Sequence, residues 1–233
     1  MRVVIACEES QRVTLEMRRL GHDAYSCDLL PCSGGHPEWH FHQDALLTVT
    51  RGGGRLETGE DRYMSHGFDL MVSHPPCTYL TSSGARWFSH PDDGHLPVAQ
   101  RRPHPLYPTR AQDREDAIQF FLAFANASVP KIAIENPIGI LSTRYRKPDQ
   151  IVHPWWFGDE ASKATCLWLK DLPLLTPTNI VSKGEFVEMS SGRRMAKWFA
   201  DTKKAKVSET RYLRSKTFPG FARAMAEQWA GPA

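Results

Sequence analysis

The opening of the chain restricts its fold more than any other stretch. Arg2–Ala6 is a short β-branched run, and after it Val13, Met17 and Leu20 fall at i, i+4 and i+7, one face of a helix that Gly21 stops. Ser10 stands where it can cap that helix. Ala24–Cys27 then reads as a second strand leading to Asp28. Strand, helix and strand with an acid at the second strand's end open a doubly wound nucleotide-binding fold. A length of 233 residues, 41% of them hydrophobic and 24% charged, suits one α/β domain with at most a small appendage.

Later segments continue the alternation. Phe68–Ser73 reads as a buried strand ending at His74-Pro75-Pro76-Cys77, Ala111–Ala127 as a helix with Ile118, Phe121, Leu122 and Ala125 on one face, and Lys131–Ile134 as a strand ending at Glu135-Asn136-Pro137. Both polar clusters therefore lie at carboxyl ends of strands, the edge where open α/β sheets bind ligands. Between them Gly84–Arg110, rich in Pro, His and Arg, reads as a long binding loop or lid. Pro148, Pro154, Pro173 and Pro177 break up the chain beyond Tyr145, so we expect a core over residues 1–147, a small β and loop region over 148–216, and a terminal helix over 217–233 packing back on the core.

Charge and cysteine content narrow the function. Lys183–Lys216 holds ten basic residues against four acidic ones within a chain of net charge +3, so the basicity is local and suited to a polyanion. No apolar run approaches the ~20 residues that cross a bilayer, and Glu8 and Glu9 interrupt the apolar start, so a cytoplasmic protein with no membrane partner is expected. No protein partner is implied. Five cysteines at irregular spacing argue for free, reactive or metal-bound thiols.

Two residues carry the chemistry. Cys77 follows two prolines at a strand end, where exposure and positive neighbours would favour the nucleophilic thiolate. Glu135, in a partly desolvated cleft at the next strand end, is expected to have a raised pKa and to share a proton near neutrality. Cys27, Cys32, His36, His40 and His42 form a second cluster with soft and imidazole donors, which leaves a zinc-stabilised DNA-binding protein as the non-enzyme alternative.

Pro76-Cys77 after one strand and Glu135-Asn136-Pro137 after a later one resemble the Pro-Cys and Glu-Asn-Val motifs of cytosine-5 DNA methyltransferases. The likeness is closer to small phage-type members with Cys-Glu-Glu-Ser near the start, here Cys7–Ser10. The resemblance implies a Rossmann-like, S-adenosylmethionine-dependent methyltransferase fold acting on DNA with a flipped-out cytosine. Cys77 would attack carbon 6 while Glu135 holds ring nitrogen 3 and the exocyclic amine.

Arg144-Tyr145-Arg146 resembles the family's Arg-x-Arg motif, which gives Arg144 and Arg146 a role at the base. The resemblance also implies a cofactor pocket built from Ala6, Cys7, Glu8 and Ser10 at the first turn, Asp28 on the ribose, Asp44 on the adenine amine, and His74 and Pro75. Arg214-Ser215-Lys216-Thr217 replaces a family Gly-Asn-Ser-Val segment, placing Lys216 and Thr217 beside the donor. Arg214 or Lys216 could there pair with a carboxylate, so carboxy-S-adenosylmethionine is a second candidate donor. Arg101, Arg102 and Arg110 would bind phosphates, and Lys203, Lys204 and Lys206 would add sequence-independent affinity. A free cytosine nucleotide is the alternative acceptor.

Overall fold

The computed structural model describes residues 1–189, 192, 194–202 and 214–233. Its centre is a seven-stranded sheet in the order β3-β2-β1-β6-β7-β9-β8. These strands are β1 (Arg2–Ala6), β2 (Asp23–Asp28), β3 (His40–His42), β6 (Leu70–Ser73), β7 (Lys131–Pro137), β8 (Gln150–Val152) and β9 (Thr165–Lys170), while β4 (Gly53–Arg55) and β5 (Asp61–Tyr63) pair as a separate hairpin. The pairs from β3 to β7 are parallel; β9 runs antiparallel to both β7 and β8. This is a Rossmann-like, mostly parallel α/β fold.

Alternation along the strands builds a three-layer molecule. Val3 and Ile5 of β1, with Leu70 and Val72 of β6, face α1 (Arg12–Arg19) and the C-terminal helix (Pro219–Trp229), whose Phe221, Met225 and Trp229 are buried there. Val4 and Ala6, with Met71, Ile132 and Ile134, face α2 (Ala45–Arg51) and α3 (Arg110–Ala125), where Ile118, Phe121 and Phe124 close the other core. Burying each such large side chain contributes roughly 1.5–3 kcal/mol. The sheet is hence covered on both faces, and only its two edges of strand ends are open to ligands.

Three expectations change. The N-terminus of α1 is not capped by Ser10: Gln11 holds the cap position in the left-handed conformation at φ 55°, and the Glu8 carboxylate accepts instead from Val13 N at 2.7 Å and Thr14 Oγ1 at 2.7 Å. A carboxylate at a helix N-terminus satisfies orphan amides and the dipole together. Residues beyond 148 do not stand apart from the core, because β8 and β9 extend the central sheet. Proline punctuation hid these short antiparallel strands, and outside the sheet the described part of that region includes the hairpin Phe186–Glu188 with Arg194–Ala196. Finally, β7 continues through Pro137, which carries Glu135 and Asn136 into the sheet itself.

Candidate active site

Parallel register brings the two chemical motifs together. Ser73 of β6 pairs with Ile134 of β7, so His74 and Glu135 leave adjacent strands side by side. Their side chains meet: His74 Nδ1 lies 3.1 Å from Glu135 Oε2, with 9% and 12% of the two side chains exposed. Asn136, fully enclosed, donates from Nδ2 to the Pro75 carbonyl at 2.8 Å and fixes the Pro75-Pro76-Cys77 turn to β7. Cys77 itself is exposed.

The electrostatics revise both expected protonation states. Protein around the Cys77 thiol and the Glu135 carboxylate push its pKa up, against a smaller opposing pull from Lys163 and the residue's own backbone N–H. Burial raises the Glu135 carboxyl, but Lys163, the hydrogen bond and charge of His74, and the Thr165 hydroxyl outweigh it and carry the pKa below the ordinary carboxylate value. The resting pair is therefore a thiol beside a carboxylate, the reverse of the raised acid expected from the sequence.

Lys163 is the residue that sequence reading missed. Thr165 pairs with Pro137 and Leu167 with Glu135, so the start of β9 lies against the end of β7, and Lys163 enters the same sheet edge two residues earlier. Its ammonium donates to the Arg214 carbonyl at 3.3 Å, which brings the Arg214–Thr217 segment beside the site. The signal was present in Thr165–Leu169, an apolar piece that would have placed Lys163 had it been read as a sheet strand.

Arg144 and Arg146 do not join this group. Arg144 grips Glu115 of α3 through two bonds of 2.7 and 2.5 Å, and Arg146 pairs with Asp149 at 2.8 Å and donates to the Leu169 carbonyl. Arg110 is also corrected. It is 8% exposed, donates to the Thr78 carbonyl, and lies among the rings of Tyr79, Phe88 and Tyr107, so its contacts are those of a residue that supports the loop from within. Arg101 donates to the Leu96 and Gly94 carbonyls, and Arg102 is matched by buried Asp93 at 2.6 Å. Lys203, Lys204 and Lys206 lie outside the described residues.

The first-turn residues line the crevice where strand order reverses between β1 and β6. His74 N bonds the Ala6 carbonyl at 2.9 Å, and Cys7 follows at φ 60°. Asp28 and Asp44 both act on the Cys7 thiol, which burial first and then these acids push well above its usual value. Each acid uses one oxygen locally: Asp28 Oδ1 accepts from Leu30 N and Asp44 Oδ1 from Leu47 N, and among the described residues the second oxygen of each accepts no hydrogen bond. Leu29 and Leu30 beside them are 71% and 56% exposed, an apolar shelf at the crevice. Glu8, by contrast, is spent on α1, and burial raises its carboxyl although nearby His74 opposes the shift. Ser10, Pro75 and Thr217 are buried and Lys216 is half-buried. The Arg214 guanidinium donates from Nε to Thr202 Oγ1 and from Nη2 to the Phe199 carbonyl.

The Cys/His cluster does not converge. Cys27 contacts Thr48 Oγ1 and the Gln43 carbonyl, His40 bridges Ser26 Oγ and the Leu30 carbonyl, and His42 reaches the Leu29 carbonyl. Among the described residues no three His, Cys, Asp or Glu side chains are grouped to hold a metal ion, so the donor set for the zinc alternative is missing. No described helix is long and apolar enough to cross a membrane.

No family model matches the chain, and no protein of curated function matches its sequence. Among solved structures it is similar to a prophage-encoded E. coli protein provisionally named a DNA modification methyltransferase, at 13% identity and a TM-score of 0.43. The match covers 77% of this chain and 51% of that one, so the chain spans about half the other's length. At that identity and score the likeness assigns no activity here.

Proposed function

We propose that the protein is a DNA cytosine-5 methyltransferase. The observation that carries this reading is the assembly, at one sheet edge, of Cys77, Glu135, His74 and Lys163. A pyrimidine needs a nucleophile on its face and a polar clamp on the edge bearing nitrogen 3 and the amine. Cys77 is an exposed thiol for the first task. Glu135 is a held carboxylate for the second, its Oε2 fixed by His74.

Cytosine carbon 5 is a weak nucleophile until a thiolate adds at carbon 6 and breaks the ring's aromaticity. Cys77 forms that bond after losing its proton, and the Lys163 charge favours the anion. Negative charge then gathers at ring nitrogen 3. Glu135 must carry a proton to meet it, and the proton given up by the Cys77 thiol balances the one delivered to nitrogen 3 through Glu135, whose Oε2 is held by His74. Once carbon 5 carries the methyl group, its proton passes to water and the thiolate leaves carbon 6, which restores the ring. S-adenosylmethionine would supply the methyl group. The second oxygens of Asp28 and Asp44, the exposed Leu29 and Leu30, and the crevice at Cys7 fit such a cofactor, with the carboxylates toward hydroxyl and amine groups and the leucines against its planar base. The reversed β9 between β7 and β8 departs from the dinucleotide-binding strand order and is compatible with the methyltransferase fold that the resemblance implies.

The test is transfer of a labelled methyl group from S-adenosylmethionine to cytosine-containing duplex DNA, with dCMP as a parallel acceptor, followed by nucleoside mass spectrometry. We expect 5-methyldeoxycytidine in DNA, none with Cys77→Ser, and little on dCMP. Methyl on another atom, or retained activity in the variant, contradicts the reading.

A further inference from the structure

The segment leaving Cys77 for α3 is built around a pocket of its own. It is anchored beside Glu135, since Thr81 bridges Gly139 and Ile140 N bonds the Leu80 carbonyl at 2.9 Å. Within it, Arg102 pairs with buried Asp93, and Trp87 meets His104 and Tyr107 edge-on at 5.2 and 5.5 Å. The pocket is open to solvent on one side and measures about 320 Å³, within the lower range for small-ligand pockets, and its lining includes Arg86, Trp87, His90, Arg101 and His104.

The pocket's chemistry is one-sided. No lining residue is acidic. His90 Nδ1 accepts from Asp92 N, with an Asp92 carboxylate oxygen 3.6 Å away, and His104 Nδ1 accepts from Leu106 N, an arrangement that leaves Nε2 of each ring as its N–H donor. The exposed Arg86 guanidinium lies 4.6 Å from the centre of the Trp87 ring. An indole with an exposed, movable guanidinium over its ring and imidazole donors nearby fits a flat, acceptor-rich ring carrying an anion, which would take the guanidinium's place on the indole and keep its charge.

We propose that this pocket binds a nucleotide of the DNA strand next to the target cytosine, its base stacked on Trp87 and its phosphate on Arg86. The inference deepens the methyltransferase reading and rests on it for the choice of DNA. Base–aromatic stacking tolerates any sequence, so the pocket would hold the strand without specifying a long site. Arg86, exposed where Arg110 is buried within the loop, supplies the contact to phosphate.

Photocrosslinking tests it on the full chain. Oligonucleotides with 5-iododeoxyuridine one or two positions from a single cytosine are irradiated with the protein, and crosslinked peptides are mapped by mass spectrometry. Trp87 or His104 is the expected acceptor, and Arg86→Ala and Trp87→Phe should each weaken oligonucleotide binding several-fold, Trp87→Ala by roughly tenfold. Circular dichroism of each variant separates lost stacking from lost folding, and the Arg86 change alters only an exposed side chain. Binding with crosslinks elsewhere, or with unchanged affinity in Arg86→Ala and Trp87→Phe, overturns the pocket while leaving the methyltransferase reading intact. A crosslink at Trp87 without methyl transfer keeps the pocket and overturns that reading. Quenching of the Trp87 contribution by dCMP but not by oligonucleotide reassigns the site to free nucleotides and overturns the polymer proposal. Binding of neither probe overturns both.

Discussion

At Cys77 and Glu135 the protonation states differ from those the proposed methyl transfer uses. A carboxylate beside a thiol holds the thiol neutral, and only Lys163 among the named neighbours acts in the opposite direction through its charge. Removing that charge should leave Cys77 less reactive. In Lys163→Ala, alkylation of Cys77 by iodoacetamide at pH 8, followed peptide by peptide, should slow several-fold, while Lys163→Arg keeps most of the rate. An unchanged rate in Lys163→Ala would remove Lys163 from the site's electrostatics. Cys77 and Glu135 were legible from their place at strand ends. Their neighbours were not, because Lys163 and His74 gain meaning only through the β6–β7–β9 register.

The elements around the site are joined by a close approach that a sequence does not display. A methyl group on Gly139 would stand 1.9 Å from the Leu80 carbonyl oxygen, so the turn after β7 passes the segment after Cys77 with room for a hydrogen only. Gly139→Ala should force these segments apart, costing roughly 1–3 kcal/mol by analogy with overpacking and lowering activity more than stability accounts for. Urea melts beside methyl-transfer rates check this, and a variant equal to the parent in both would contradict it. The Thr81–Arg110 loop offers a pH test. The Arg102 hydrogen bonds hold the Asp93 carboxyl well below its usual value. A lowered folded-state pKa contributes stability that is present above the unfolded value near 3.9 and is lost as pH falls below it. Hydrogen exchange in this loop should thus rise on going from pH 5 to pH 3, more than in the strands, after correction for intrinsic rates. Strand and helix existence followed from periodicity. The loop's internal order did not, since it depends on Asp93, Trp87 and Arg110 finding partners far apart along an aperiodic stretch.

Over the whole molecule, covering both sheet faces confines ligand binding to the strand ends, and the doubly wound pattern made that edge predictable from β1, α1 and β2 alone. The antiparallel closure escaped notice because β8, three residues between prolines, has no readable period, and the six-residue apolar piece of β9 carries no mark of its direction or of the strand it pairs with. Charge is distributed at this scale too. The excess of basic residues in Lys183–Lys216 predicts DNA affinity that falls with salt, and replacing Lys203, Lys204 and Lys206 by Gln should reduce the slope of log K against log salt by about 3 if each meets a phosphate. Titrations at several salt concentrations measure it, and an unchanged slope would place the polyanion contact elsewhere. The most direct measurement of the central claim is covalent capture. A duplex oligonucleotide carrying 5-fluorocytosine, incubated with protein and S-adenosylmethionine, should become bonded to Cys77, as a mass-shifted peptide containing that residue. No adduct, or one that persists in Cys77→Ser, would contradict attack by this sulfur on the ring.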